Sequence, residues 1–223
     1  MSYFVTGATG FIGRYLVGNL LKRSGTVYVL VRKDSQKKFD AIAKKAGWDM
    51  KRVTVVHGDM TKPRCGLTPA QLRTLTGKVK HFFHLAAIYD LTATREAQQA
   101  ANIDGTQHAL DLAAALKAGC FHHTSSIAAA GLYPGIFRED MFDEAEGLDD
   151  PYLRTKHESE GLVRNEKRIK WRIYRPGMVV GHSKTGEIDK IDGPYYFFTL
   201  IKKLRELLPP WMPVLGIEGG RIN

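Results

Sequence analysis

The chain has 223 residues, 43% of them hydrophobic and 25% charged, ordinary proportions for a globular protein with one good-sized core. Thirty-three Lys and Arg against 23 Asp and Glu leave a net charge of +10, which suits a polyanionic ligand or is simply a solvated basic surface. No apolar run reaches the length of a membrane span, and no basic-aromatic alternation marks a nucleic-acid platform, so no nucleic-acid partner is expected.

The first element is a short apolar run, Tyr3-Phe4-Val5. It leads into Thr6-Gly7-Ala8-Thr9-Gly10-Phe11-Ile12-Gly13, and then into Arg14 to Leu21, whose apolar residues recur at helical spacing. Glycines 7, 10 and 13 therefore sit on a strand-to-helix turn. One tolerates a backbone that a Cβ would block, one lets the chain approach a pyrophosphate, and one lets the helix pack close to the strand. The helix N-terminus adds free N–H groups and a positive dipole end. This assigns Gly7, Thr9, Gly10, Phe11, Ile12 and Gly13 to dinucleotide binding. Because the turn comes so early, no signal peptide is expected. Cys65 and Cys120 lack metal-ligand spacing and suit a reducing compartment, so the expected location is cytoplasmic and no metal is expected.

Thr26 to Val31 reads as a buried parallel strand. An acidic residue at its end would hold the ribose hydroxyls of NAD; here Arg32-Lys33 stands instead. A guanidinium suits the 2′-phosphate of NADP by charge and by its forked donors. NADPH is therefore the expected cofactor, with Arg32 as main contact and Lys33 in support; a surface basic pair is the competing reading. Ser35 to Ala46 predicts a helix, and Val53 to His57 a third strand ending in Gly58-Asp59-Met60-Thr61. Asp59 and Met60 are candidate adenine contacts, although Asp59 also fits a plain turn cap. Thr68-Pro69 opens a short helix. A fourth strand, Val79 to His84, runs into Leu85-Ala86-Ala87, small residues suited to close backbone approach to a ligand.

One long helix is predicted from Thr92 to Lys117, with Asn102-Ile103-Asp104-Gly105-Thr106 in its middle and a glycine C-cap at Ala118-Gly119. Cys120 to Ser125 is a fifth strand. Its His122 and His123 point to opposite faces, which argues against a shared metal. A long loop, 126–150, precedes a helix opened by Asp150-Pro151. Trp171 to Tyr174 is a sixth strand, closed by Arg175-Pro176-Gly177. The alternation predicts an α/β fold: a Rossmann-type doubly wound parallel sheet with helices on both faces, its ligand crevice outside the carboxyl ends of the strands.

Tyr152 and Lys156 are four apart on a predicted helix and share a face. A nearby ammonium lowers the pKa of a phenol, which can then pass a proton to a carbonyl oxygen as hydride arrives at carbon. Ser126 ends the fifth strand nearby in this topology.

Together these segments resemble the extended short-chain dehydrogenase/reductases. Thr6 to Gly13 matches that family's glycine motif. Thr124-Ser125-Ser126 with Gly131 resembles its Ser segment, which implies Ser126 rather than Ser125 as the catalytic hydroxyl. Tyr152 and Lys156 match its Tyr and Lys, both also cofactor contacts. Asn102 falls in an Asn-x-x-Gly-Thr element, and Arg175-Pro176-Gly177-Met178-Val179 looks like the segment bracketing the nicotinamide, which adds Asn102, Pro176, Gly177, Met178 and Val179 to the cofactor set. More narrowly, Gly181 to Phe198 resembles a stretch of bacterial fatty acyl-CoA reductases, relatives of thioester-reductase domains. The implied substrate is a long-chain acyl thioester on CoA or a carrier protein, reduced by NADPH to an aldehyde or onward to the alcohol. The helix at 195–208 then lines an acyl channel or touches a membrane, unless it is ordinary core.

The resemblance implies an NADP-binding domain over residues 1–180. It makes 181–223 the start of a substrate-binding portion that continues in a further C-terminal part of the whole protein. The rival readings are a nucleotide-sugar epimerase or dehydratase, which Arg32 disfavours, a carbonyl or sterol-type reductase, and a non-catalytic NADP-binding protein.

Overall fold

The computed structural model describes residues 1–87, 94–188 and 194–207. It divides into two units, Met1–Pro176 and Gly177–Asn223. The first contains six strands: β1 (Ser2–Thr6), β2 (Thr26–Val31), β3 (Val53–His57), β4 (His81–His84), β5 (Cys120–Thr124) and β6 (Trp171–Tyr174). They form one all-parallel sheet in the order β3-β2-β1-β4-β5-β6. The order reverses between β1 and β4, the point at which a crevice opens at the strands' carboxyl ends.

The helices of this unit are α1 (Phe11–Leu21), α2 (Gln36–Lys45), α3 (Pro69–Leu75), α4 (Arg95–Gln98), α5 (Gly105–Ala115) and α6 (Pro151–Arg164). Strand alternation sorts the apolar residues into two layers. Tyr3, Val5, Val27 and Val29 pack with Val17 and Leu20 of α1 and Phe39 of α2. Phe4, Phe82 and Phe121 turn to the other face, against Leu110 and Leu112 of α5, Leu75 of α3 and Val163 of α6. The three phenylalanines stack across β1, β4 and β5, with ring centroids 4.7 and 5.3 Å apart. Each is fully buried, and truncating one to Ala would cost about 3–5 kcal/mol.

The stretch expected as a single helix from Thr92 to Lys117 is segmented. Residues 92 and 93 lie outside the described residues; α4 is followed by a π-helical turn, Gln99–Asp104, and then by α5. Nor does a glycine close it. The left-handed residue is Lys117, at φ 53°, while the backbone N–H of Lys117 donates to Ala114 (3.0 Å) and that of Ala118 to Ala113 (2.9 Å). This is a Schellman closure with lysine where glycine is usual. Gly119 serves packing instead: a Cβ there would come within 2.8 Å of the Lys80 carbonyl oxygen.

In the second unit, α7 (Pro194–Leu207) is joined to the preceding turn by the Gly181 N–H, which donates to the Tyr195 hydroxyl oxygen at 2.7 Å. Phe197, Phe198, Leu200, Ile201, Leu204 and Leu207 are exposed on it. No helix among the described residues is long and apolar enough to cross a membrane.

Candidate active site

The glycine turn follows β1, and each glycine answers to a different constraint. Gly7 adopts φ +74°, and a Cβ on it would press within 2.6 Å of the Ala86 nitrogen. A Cβ on Gly13 would sit 2.0 Å from the Gly7 carbonyl oxygen, so α1 can approach β1 only without a side chain there. Gly10 is different. Its nearest obstacle is the Gly7 oxygen at 3.3 Å, and the residue is exposed. Gly10 is the N-cap of α1 without a side-chain cap, and no acidic residue lies in the first turn. The leading N–H groups of α1 thus remain open to an anion among the described residues. Thr9 and Phe11 are half-buried on this rim and Ile12 is exposed. The bare helix end fits the pyrophosphate of a dinucleotide.

Arg32 and Lys33 follow β2 and are both exposed; Arg32 Nε lies 3.6 Å from Asp34 Oδ1. After β3, Asp59 Oδ1 accepts from the backbone N–H of Thr61 (3.0 Å) and from its hydroxyl (2.9 Å). Those bonds, the backbone one foremost, hold the carboxyl below its usual range, with Arg32 and Lys62 also contributing. The turn-cap role of Asp59 is therefore realised in the structure. The Met60 carbonyl accepts from His108 Nδ1 at 2.7 Å, and a Cβ on Gly105 would meet the Met60 methyl at 3.0 Å.

Leu85 and Ala86 are half-buried and Ala87 is exposed. They are tied to the glycine turn: the Leu85 N–H donates to the Thr6 carbonyl at 3.3 Å and the Ala86 N–H to the Thr6 hydroxyl at 3.4 Å. From there a buried chain of polar groups crosses the fold. Thr6 Oγ1 lies 2.9 Å from His84 Nδ1, and His84 Nε2 lies 3.1 Å from Thr106 Oγ1. The Thr106 hydroxyl donates to the Asn102 carbonyl at 2.6 Å. That spends the threonine's hydrogen, so Nε2 of His84 is the donor and Nδ1 accepts from Thr6. Burial holds this imidazole neutral, pushing its pKa down to about 3, with Lys156 adding to the effect. Asn102 continues the chain through Nδ2, which donates to Thr155 Oγ1 (3.2 Å), and the Thr155 hydroxyl donates to the Tyr152 carbonyl (3.1 Å). The Asn-x-x-Gly-Thr element thus couples the glycine turn to the first turn of α6. The π-helical turn places Asn102 for that contact.

α6 starts where it does because Asp150 caps it, accepting from the backbone of Tyr152 (2.8 Å) and Leu153 (3.1 Å), with Pro151 at the first position. Tyr152 is half-buried. One turn on, Lys156 is only 4% exposed, and its Nζ donates to the Thr124 carbonyl at 3.1 Å. Burial pulls its pKa down to about 8, with Glu160 acting in the opposite direction. The ammonium is therefore seated at the carboxyl end of β5, two residues before Ser126. Ser126 is half-buried, and its hydroxyl accepts from the Ala128 N–H at 3.1 Å. The Pro176 carbonyl accepts from the Ile127 N–H at 3.1 Å. Gly177, Met178 and Val179 belong to the second unit and are exposed.

The sequence reading missed three features of this region. Thr6, His84 and Thr106 carry the polar chain; their signal was a polar residue closing each of two strands and another opening a helix. Ser125 is turned inward onto Glu160, which lies on the helix face of Tyr152 and Lys156, at spacings of eight and four. His123 is buried, stacked 5.6 Å from His84, and neither ring nitrogen has a partner among the described residues. As expected from strand alternation, His122 lies on the opposite face, against Phe83 and Tyr174.

Comparison with known proteins matches this arrangement to a family model described as male sterility protein, an NAD-binding family, over residues 5–215. A linear gramicidin synthase of Brevibacillus parabrevis is 31% identical over 204 residues, covering 84% of this chain and 4% of that protein. L-2-aminoadipate reductase of Saccharomyces cerevisiae is 28% identical over 222 residues, covering 86% of this chain and 16% of that protein. Among solved structures, the terminal R domain from the myxalamid PKS-NRPS biosynthetic pathway superposes with a TM-score of 0.73 at 31% identity, covering 86% of this chain and 52% of that one. The chain thus spans a small part of these curated relatives and about half of that solved domain. A parallel sheet in this order, a glycine turn after its first strand and a Tyr-x-x-x-Lys helix beside its fifth make the chain a member of the NAD-binding male sterility protein family, an extended short-chain dehydrogenase/reductase of the thioester-reductase type.

Proposed function

We propose that this domain reduces an acyl thioester, held on a carrier protein or on CoA, to an aldehyde at the expense of NADPH. The observation that carries the reading is the seating of Lys156. Its ammonium reaches the carboxyl end of β5, beside Ser126 and one turn from Tyr152, on the sheet edge that also bears the glycine turn. The name of one relative, L-2-aminoadipate reductase, supports a reductase. The exposed Arg32 and Lys33 at the end of β2 support NADPH over NADH.

When bound, the dinucleotide supplies hydride chemistry. The protein's share is placement and electrostatics. Gly10 and the start of α1 hold the pyrophosphate, and Arg32 with Lys33 takes the 2′-phosphate. Ser126 donates a hydrogen bond to the thioester oxygen. Tyr152 protonates that oxygen as negative charge develops on it, and the Lys156 ammonium favours the phenolate left behind. Collapse of the resulting hemithioacetal releases the thiol and leaves the aldehyde. The apolar side of α7 suits a long acyl chain.

The test is to offer the whole protein NADPH with a long-chain acyl-CoA and, separately, with the same acyl group on a carrier protein, following cofactor oxidation and aldehyde release. Oxidation coupled to aldehyde with either thioester is expected, faster with the carrier. Turnover of a nucleotide sugar with no reaction on either thioester would reject the substrate class.

A further inference from the structure

Glu160 is fully buried, yet it is a carboxylate. An unpaired charge there would be costly, and this one is saturated. One oxygen accepts from Arg164 Nε at 2.8 Å and from Arg175 Nη2 at 2.6 Å; the other accepts from the Ser125 hydroxyl at 2.7 Å and from Arg175 Nε at 3.0 Å. Burial pushes the carboxyl up, but the bonds from Arg175, Ser125 and Arg164 together outweigh it and hold it ionised. Arg175 goes further. Its other donors reach the carbonyls of Arg138 (3.1 Å) and Met141 (2.7 Å), inside the long loop between Ser126 and α6. One carboxylate therefore gathers the end of β5, the middle of that loop, the end of β6 and the helix of Tyr152 and Lys156.

Two consequences bear on the reaction. Ser125 and Ser126 are adjacent hydroxyls on an extended backbone, so only one can face a ligand on a given side. Glu160 captures the first, which leaves Ser126 as the open one. Glu160 is also one turn from Lys156 and favours its charged form. The other groups around Lys156 are Tyr152 on the same helix, His84 on β4 and His123 on β5; burial keeps both imidazoles neutral.

We propose that Glu160 is a positioning residue for the reduction: through Ser125 and Arg175 it sets which serine meets the substrate oxygen, and it buries a carboxylate one helical turn from the buried Lys156. This rests on the thioester-reductase reading and falls with it.

The test compares the whole wild-type protein with Ser125→Ala, Arg175→Lys and Glu160→Gln. Steady-state NADPH oxidation with an acyl-CoA is measured across pH 6–10, with NADPH affinity and thermal unfolding measured in parallel. S125A is expected to fold, to bind NADPH as wild type does and to lose roughly tenfold in kcat with little change in KM. R175K, keeping charge but not the fork, should fall between S125A and wild type. E160Q should lose more, and its alkaline limb should move to lower pH, because the charge favouring the Lys156 ammonium is gone. A purely structural role would lower the unfolding temperature without moving that limb. Wild-type kcat in S125A overturns the proposal even if E160Q does not fold; so does an E160Q enzyme with an unshifted pH profile. A wild-type protein that oxidises NADPH with no thioester rejects the functional reading instead, and the positioning role with it.

Discussion

Tyr152 and Lys156 show how one helical turn can serve two environments. The lysine is almost fully buried and tied to the Thr124 carbonyl, while the tyrosine one turn earlier stays half-buried. Removing the phenolic oxygen should leave the fold intact while removing the proton donor. Tyr152→Phe is therefore expected to lower kcat by about 100-fold or more while weakening NADPH binding far less, measured by steady-state turnover and cofactor titration. At the end of β2, Arg32 offers charge-assisted bonds to a phosphate. Arg32→Glu is expected to weaken NADPH binding by about 2 kcal/mol, roughly thirtyfold, while sparing NADH; equal losses for both cofactors would discredit the 2′-phosphate assignment. His123 is a buried imidazole, 2% exposed, with neither nitrogen partnered among the described residues. His123→Phe keeps an aromatic ring and removes the unmet polar groups, so thermal or urea unfolding should report a gain of about 1 kcal/mol. Tyr152, Lys156 and Ser126 were singled out by spacing taken together with the family resemblance, whereas Glu160 was not. A glutamate on a helix usually faces water, and only the convergence of Arg164, Arg175 and Ser125 around it reveals a buried one.

At the scale of elements, local chemistry decided the starts of helices better than their ends. Thr68 caps α3 with a full capping box and Asp150 caps α6, both visible as a polar residue followed by proline. The end of α5 was misplaced because a glycine, Gly119, stood two residues beyond the true left-handed position. Lys117 takes that conformation since the buried Ala118 and Ala113 close the motif. A side chain in the left-handed region costs about 1–2 kcal/mol. Lys117→Gly is therefore expected to stabilise the protein by about 0.5–1 kcal/mol, seen as a rise of about 2–3 °C in Tm. The π-helical turn at 99–104 was not read from the sequence because six residues are too few to show a change of period. Its purpose lies outside the helix, in the contact between Asn102 and Thr155.

For the molecule as a whole, the buried imidazoles give a pH dependence whose sign can be worked out. His84 has its pKa pushed from 6.5 to about 3 by burial, and His123 moves the same way for the same reason. Both are neutral when folded and take up protons when unfolded below about pH 6.5, so acid favours unfolding. The stability they contribute is present above pH 6.5 and is lost as pH falls toward their folded values. Between pH 7 and pH 5, His84 alone should cost about 2 kcal/mol, and Tm should drop by about 5 °C or more, measured by calorimetry. A flat profile over that range would mean that the two rings are solvated or charged in the native state.

By itself, the sequence determined the strand–helix alternation, the glycine turn, the basic pair after the second strand and the Tyr-x-x-x-Lys pair, because each depends on contacts within a few residues. Strand pleat and helical repeat are local properties, and they carried the all-parallel doubly wound sheet with them. Only the tertiary structure decided that Lys117 rather than a glycine closes α5, and that Ser125 is claimed by Glu160. In the second of these, residues far apart in the chain meet at one buried charge, and no local pattern records which partner wins.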